Sequence, residues 1–270
     1  MNAYVAMNCH STGGAKVAAL LLCAVALVAA GPPAQAQQDD ARTILKAMSD
    51  YISSQQTIEL TFDSDIEVIT PELEKIQFTN SGEVLVSRPD RLRARRVGGY
   101  ADVALYFDGK TVSISGKNVN GYAQFAAPGN LDQLFTALRD GHGVALPGAD
   151  FLLSNPYAAL EAEVIEAKHI GRGVIDGVEC EHLAFRNFDT DWQLWVEAGA
   201  KPIPRKVVIT SKTLNSAPQY TFRVKSWKTG FEPPADAFTF TPPAGAQALD
   251  PNDLAFLDEL PPEAPTGAKQ

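Results

Sequence analysis

TIELTFDSDIEVITPELEKIQFTNSGEVLVSRPDRLRARRV, residues 57–97, carries the pattern that decides the fold. Ile58, Leu60, Phe62, Ile66 and Val68 share one side of an extended chain, with Glu59, Asp63, Asp65 and Glu67 between or near them. Successive side chains of a strand point to opposite faces, so this is a long strand with one dry face and one wet face. Thr70-Pro71-Glu72 turns the chain, and Ile76, Phe78, Val84 and Val86 repeat the pattern in a second strand. Arg88-Pro89-Asp90 breaks that strand. Leu92 and Ala94 then alternate with Arg91, Arg93 and Arg95 in a third. Parity puts Arg96 on the side of Leu92 and Ala94, and turns Arg93 away from it.

Outward from this stretch the alternation continues. Ala101, Val103, Leu105 and Phe107 form a fourth strand, Asp108-Gly109 is a hairpin signal, and Val112 and Ile114 return in a fifth. Further strands are expected at 164–170, 178–185, 192–197, 205–212 and 219–227, with Phe238-Thr239-Phe240 as a last short one. Ala41, Ile44, Leu45, Met48 and Tyr51 recur at helical spacing ahead of the first strand, with Asp39 and Asp40 as candidate caps. Residues 128–162 interrupt the strands: Asn130 opens a short helix in which Leu131, Leu134, Phe135 and Leu138 share a face, and Gly141 ends it. Many strands joined by short turns make an antiparallel sheet, and one this large with a single apolar face must curl. The expected fold class is α+β. It is a strongly curved, mostly antiparallel open half-barrel of about ten strands, covered by an N-terminal helix and a short helical insert. It occupies residues 37–246, and residues 247–270 form a Pro/Ala/Glu-rich C-terminal tail.

Residues 1–36 read as a cleavable export signal, with Lys16 in a weakly basic start, an apolar run from Val17 to Ala30, and Ala34-Gln35-Ala36 for the peptidase. The apolar run is short of the roughly 20 residues of a membrane span, so no transmembrane anchor is expected after cleavage and the mature chain is expected to be exported. Cys9 and Cys23 would leave with the signal, so Cys180 alone would remain and no internal disulfide could form. The whole chain has 270 residues, 45% hydrophobic and 20% charged, with a net charge of −9. That composition fits a globular protein, and its acidity argues against nucleic acid as partner.

No G-x-S-x-G, H-E-x-x-H, C-x-x-C or P-loop pattern is present, and no enzyme, catalytic residue, cofactor or metal site is expected. Cys180 and His182 share a strand face and could form a nucleophile pair or part of a metal site, but a small buried thiol beside a hydrogen-bonded imidazole is the better account of them. Gly171-Arg172-Gly173 reads as a turn. The arginines at 88–96 read as a solvated strand face or as a patch for anionic headgroups or carboxylates. The sharper expectation concerns the apolar face. One helix and a small insert leave a long curved sheet incompletely filled, so the remainder should line a cavity for a lipid or acyl chain. From the first half of the chain its lining would be Leu60, Phe62, Phe78, Val84, Leu92, Leu105 and Phe107. From the second half it would be Trp192, Leu194 and Phe222. Arg96, Leu134 and Phe135 would belong to the cover or its latch. The alternative is an envelope sensor or regulatory module that binds a protein partner.

GVECEHLAFR at 177–186, DWQLWVE at 191–197, PIPRK at 202–206, PQY at 218–220, FTF at 238–240 and PAGA at 243–246 resemble a family of predicted periplasmic proteins, domain of unknown function 2092. That resemblance implies periplasmic residence and assigns no activity. GEVLVSRPDRLR at 82–93 and DGK at 108–110 are more distantly similar to the periplasmic carrier of outer-membrane lipoproteins. This second likeness implies an open half-barrel over an acyl-chain cavity. It would also place the arginine that latches a helical lid at Arg93, where the carrier's following aromatic residue is replaced by Ala94.

Overall fold

The structure, a computed structural model, describes residues 34–252 except Ala145, together with Leu254. The expected signal lies outside the described residues apart from its last three, which begin the first helix.

Helix α1 spans Ala34–Ser54. Asp39 and Asp40 therefore lie inside it and do not cap it, a correction to the sequence reading. Ala41, Leu45, Met48 and Ile52 are fully buried along it. They recur at steps of three or four, the spacing that keeps one helix face on the core. Six strands follow: β1 (Thr57–Ile69), β2 (Lys75–Ser87), β3 (Arg91–Gly98), β4 (Asp102–Phe107), β5 (Thr111–Gly116) and β6 (Gly121–Ala126). The insert holds α2 (Leu131–Thr136), a π-helical turn (Ala137–Gly141), a 3-10 turn (Ala149–Leu152) and α3 (Pro156–Glu161). Then come β7 (Glu166–Ile175), β8 (Val178–Arg186), β9 (Thr190–Glu197), β10 (Pro204–Ser211), β11 (Gln219–Thr229) and β12 (Gln247–Ala248).

All twelve strands join one open sheet in the order β12-β6-β5-β4-β3-β2-β1-β11-β10-β9-β8-β7. Every pairing is antiparallel except that of β12 with β6. The curved half-barrel expected from the sequence is present. Its register carries the apolar side chains across the strands: Ile58 faces Val86, Val86 faces Leu92, Leu92 faces Phe107 and Phe107 faces Val112. On the other half Leu183 faces Leu194 and Leu194 faces Val207. These rows make the inner face, on which α1 and the insert lie. Phe62 crosses to Gly82 on the neighbouring strand, where a Cβ would come within 2.3 Å of its ring. Only glycine leaves room for that ring to lie flat on the sheet.

Three local readings change. β6 was not anticipated. Gly171 and Gly173 sit inside β7, beside a bulge between His169 and Gly171, and do not form a turn between strands. Phe238-Thr239-Phe240 is not a strand, because Ala237 and Thr239 donate to the carbonyls of Pro234 and Asp236 in turns. This segment belongs to a strap that crosses the outer face. Phe231 exchanges hydrogen bonds with the Thr57 hydroxyl, Phe238 packs on Leu85, and Phe240 lies 5.5 Å from Tyr106 and 5.6 Å from Tyr122 between ring centroids. Asn120 donates to the Gly245 carbonyl, β12 then pairs beside β6, and Leu254 is buried in the main core.

Candidate functional site

The site is the inner face and the insert that covers it. Leu60, Leu92, Phe107, Trp192 and Leu194 are buried in one apolar cluster, with Phe62, Val84, Leu105 and Phe222 partly buried against it. Leu134 and Phe135 of α2 are buried in the same cluster. Phe151 meets Phe222 edge to face at 5.9 Å. Phe78 stands apart from the cluster, near the start of β2, with its ring edge-on to Tyr100 at 5.7 Å.

Sequence accounts for the shape of the insert. Asn130 accepts from the Gln133 amide and the Gln133 side chain accepts from the Asn130 amide, a capping box that fixes where α2 begins. Asn155 caps α3 with a single bond, accepting from the Ala158 amide, with Pro156 at its first turn. Asp132 accepts from the Ser154 amide at 2.8 Å and from its hydroxyl, so the two halves of the insert are joined to each other. The base of the insert is pinned by Leu131 N–H to the Pro89 carbonyl at 2.9 Å. Arg42 of α1 and Glu161 of α3 pair at 2.7 Å.

The side chain that ties sheet to insert is Arg88. Its Nη1 donates to the Leu153 carbonyl at 3.3 Å, while Nε and Nη2 are buried with no hydrogen-bond partner among the described residues. Burial holds its pKa below the usual arginine value, and the nearby Asp132 carboxylate pulls the other way. Sequence reading passed over Arg88 as a strand breaker. The signal that could have found it is its place at the last turn of the dry face, next to the segment where the insert docks. Arg96 is half-buried and stands in register with Gly82 and Val103, on the inner side. Arg93 lies on the outer face, in a hollow beside Glu83.

Cys180 is fully buried, and desolvation pushes its thiol pKa up. A thiol held protonated is a poor nucleophile. The His182 imidazole hydrogen-bonds Gln193 at 2.9 Å and stacks on Trp195 at 4.1 Å.

On the outer face Asp102 accepts two 2.9 Å bonds from Arg95, which hold its carboxyl below the usual carboxylate range. A depressed pKa contributes stability that is complete above the unfolded value, about 3.9, and is lost as pH falls through the lower folded value. Urea midpoints taken from pH 6 down to pH 2 are expected to fall less steeply for Asp102→Asn than for the unaltered protein. Equal slopes would show that the pair adds nothing.

The family model described as predicted periplasmic protein (DUF2092) matches residues 41–250. The chain belongs to the DUF2092 family. That membership makes it a periplasmic protein, and among the described residues no helix is long and apolar enough to cross a membrane. No curated protein matches the DUF2092 chain. Solved structures similar to it include the lipoprotein LppX of Mycobacterium tuberculosis, at 11% identity and TM-score 0.44 over 72% of this chain and 98% of that one. A chain of the MucA/MucB complex of Pseudomonas aeruginosa is similar at 15% identity and TM-score 0.44, over 75% of this chain and 61% of that one. A LolA-superfamily protein of Nitrosomonas europaea is similar at 13% and 0.37, over 74% and 97%.

Proposed function

We propose that this protein binds an apolar ligand, a lipid or an acylated peptide, non-covalently against the inner face of the sheet, with the insert at 128–162 as a movable cover. The observation that carries this reading is the contrast between the two layers. The inner face is one continuous apolar surface supported by a hydrogen-bonded sheet. Beside α1, the insert that covers it is built of helical pieces of six residues or fewer. Isolated helices below about 12–15 residues are marginal in water, so the cover depends on docking, through Arg88, the Leu131–Pro89 bond and its own apolar side chains. In the closed state Leu134, Phe135, Phe151 and Leu152 occupy the places an acyl chain would take. Lifting the insert would exchange them for the ligand, and each buried CH₂ of that ligand would contribute about 0.8 kcal/mol.

Titration of the delipidated protein with the fluorescent fatty acid cis-parinaric acid is expected to give saturable binding. Phe222→Asp, at a half-buried position under the insert, should weaken it at least tenfold while leaving the far-UV circular dichroism intact. Absence of saturable uptake by folded protein would reject the proposal.

A second reading, an envelope sensor that binds a protein partner, is favoured by the β7 edge. β7 ends the sheet with Ile170 and Val174 exposed, and the nearby β8–β9 tip exposes Phe188. A stoichiometric protein recovered from an envelope extract, together with an empty inner face, would favour it.

A further inference from the structure

The strap begins on the outer face and does not end there. Phe240 lies on that face against Tyr106 and Tyr122, whereas Leu249 lies on the opposite one. A Cβ on Gly121 would come within 2.6 Å of the Leu249 side chain. Gly121 shares strand parity with Ala123 and Phe125, whose partners Ile114 and Val112 are fully buried on the inner face. The chain therefore rounds the sheet edge at β12, beside β6. The Leu249 amide donates to the Tyr122 carbonyl at 2.7 Å, and Leu254 is then buried in the inner cluster. Register lays out the ground ahead of it. Gly121 faces Gly116, Gly116 faces Val103 and Val103 faces Arg96. Across β6, β5 and β4 this row carries one side chain, that of Val103, before it reaches Arg96 on β3. Glycine in a strand lets another backbone approach closely, so the row is a shallow lane.

We infer that this lane is the docking site of the chain's own segment AFLDEL, residues 255–260, which follows Leu254 in sequence and lies outside the described residues. The seat is continuous with the one that Leu249 and Leu254 already occupy. Phe256, Leu257 and Leu260 supply apolar side chains for the inner face, and Asp258 and Glu259 supply carboxylates for the Arg96 guanidinium. The reach is sufficient. Three strand spacings separate Gly121 from Arg96, about 14 Å. The nine residues from Leu249 to Asp258 cover about 14 Å even when coiled at helical rise, and more when extended. Pro261 and Pro262 then close the segment. The inference is independent of the ligand proposal, because the docking requires no ligand.

The test is hydrogen exchange read by mass spectrometry on the full chain with no ligand added. Amides of 255–260 are expected to exchange about tenfold more slowly than those of 266–270, once corrected for intrinsic rates. Gly116→Leu puts a side chain into the lane, and Arg96→Glu sets a like charge against Asp258 and Glu259. Each should remove most of that protection while exchange in β1 stays slow. Leu257→Asp, which leaves the sheet untouched, should do the same, and it keeps the test decisive where Gly116→Leu fails to fold. Lys46→Gln, on the exposed side of α1, should change nothing. Exchange at 255–260 as fast as at 266–270 in the unaltered chain overturns the inference. So does protection that survives Arg96→Glu and Gly116→Leu, since the segment would then be held somewhere else.

Discussion

Phe107→Ala is expected to lower the stability of the protein by about 3–5 kcal/mol, read as a drop in the urea midpoint at unchanged slope. Phe107 is fully buried between Leu92 and Val112 in the cross-strand row, at the end of β4 under the cover. Removing the ring takes away its transfer free energy and leaves a cavity that the hydrogen-bonded sheet cannot collapse to fill. A typical domain has about 5–15 kcal/mol in total, so the loss consumes a large share of it. Phe78→Ala is the matched control. Its ring is half-buried and touches Tyr100 away from the core, so the cost should stay near 1 kcal/mol. Equal costs at the two positions would mean that the inner face is not packed as described. The comparison also bears on function, since a substitution at Phe107 would impair binding through the fold and cannot by itself identify a ligand contact.

Arg88→Met is expected to act in the opposite way, leaving global stability almost unchanged while loosening the insert. The substitution removes one bond to the Leu153 carbonyl, which favours the docked insert. It also removes two buried donors that have no partner, and unpaired buried polar groups oppose the docked state. A bond from a charged donor contributes about 1.5–3 kcal/mol before that offset. A net loss near 1 kcal/mol in the docking equilibrium raises the undocked population roughly fivefold. Amide exchange across 131–161 should accelerate by that factor while exchange in β1, β2 and β11 stays slow. The apparent affinity for cis-parinaric acid should rise in proportion, because the binding-competent state is no longer so rare. Unchanged exchange across the insert would show that Arg88 is not a latch.

Much of this architecture could be read from residues alone, because period-two alternation reports directly on which face is dry. Nine of the ten expected lining residues gather in one cluster for that reason. Phe78 obeys the same parity yet stands outside, because a strand of thirteen residues outruns the helices that cover it. Alternation says which face a residue joins and nothing about how far along the strand the cover extends. β6 escaped because Gly121 and Ala123 leave Phe125 as the only bulky apolar residue on its inner face, too few to show an alternation. The aromatic alternation of Phe238 and Phe240 is real, but it serves packing of a turn-rich strap on the outer face and no ladder. The sequence reading looked for a latch at Arg93 and Arg96 on strand faces, and neither role is tested by the geometry. The arginine that bonds the insert is Arg88, where the strand has ended and the backbone has already turned toward it.

The strap has a consequence for how the molecule is completed. It joins partners far apart in sequence, Thr57 with Phe231 and Asn120 with Gly245, and its β12 makes a parallel pairing. Such high-contact-order links are slow to form. Residues 231–249 also follow in sequence every strand they pack against. Until they arrive, the edge of β6 and the rings of Tyr106 and Tyr122 stay open to solvent. A sheet without its strap would thus leave Leu85, Tyr106 and Tyr122 bare, and closure of the outer face depends on chain that comes after the sheet.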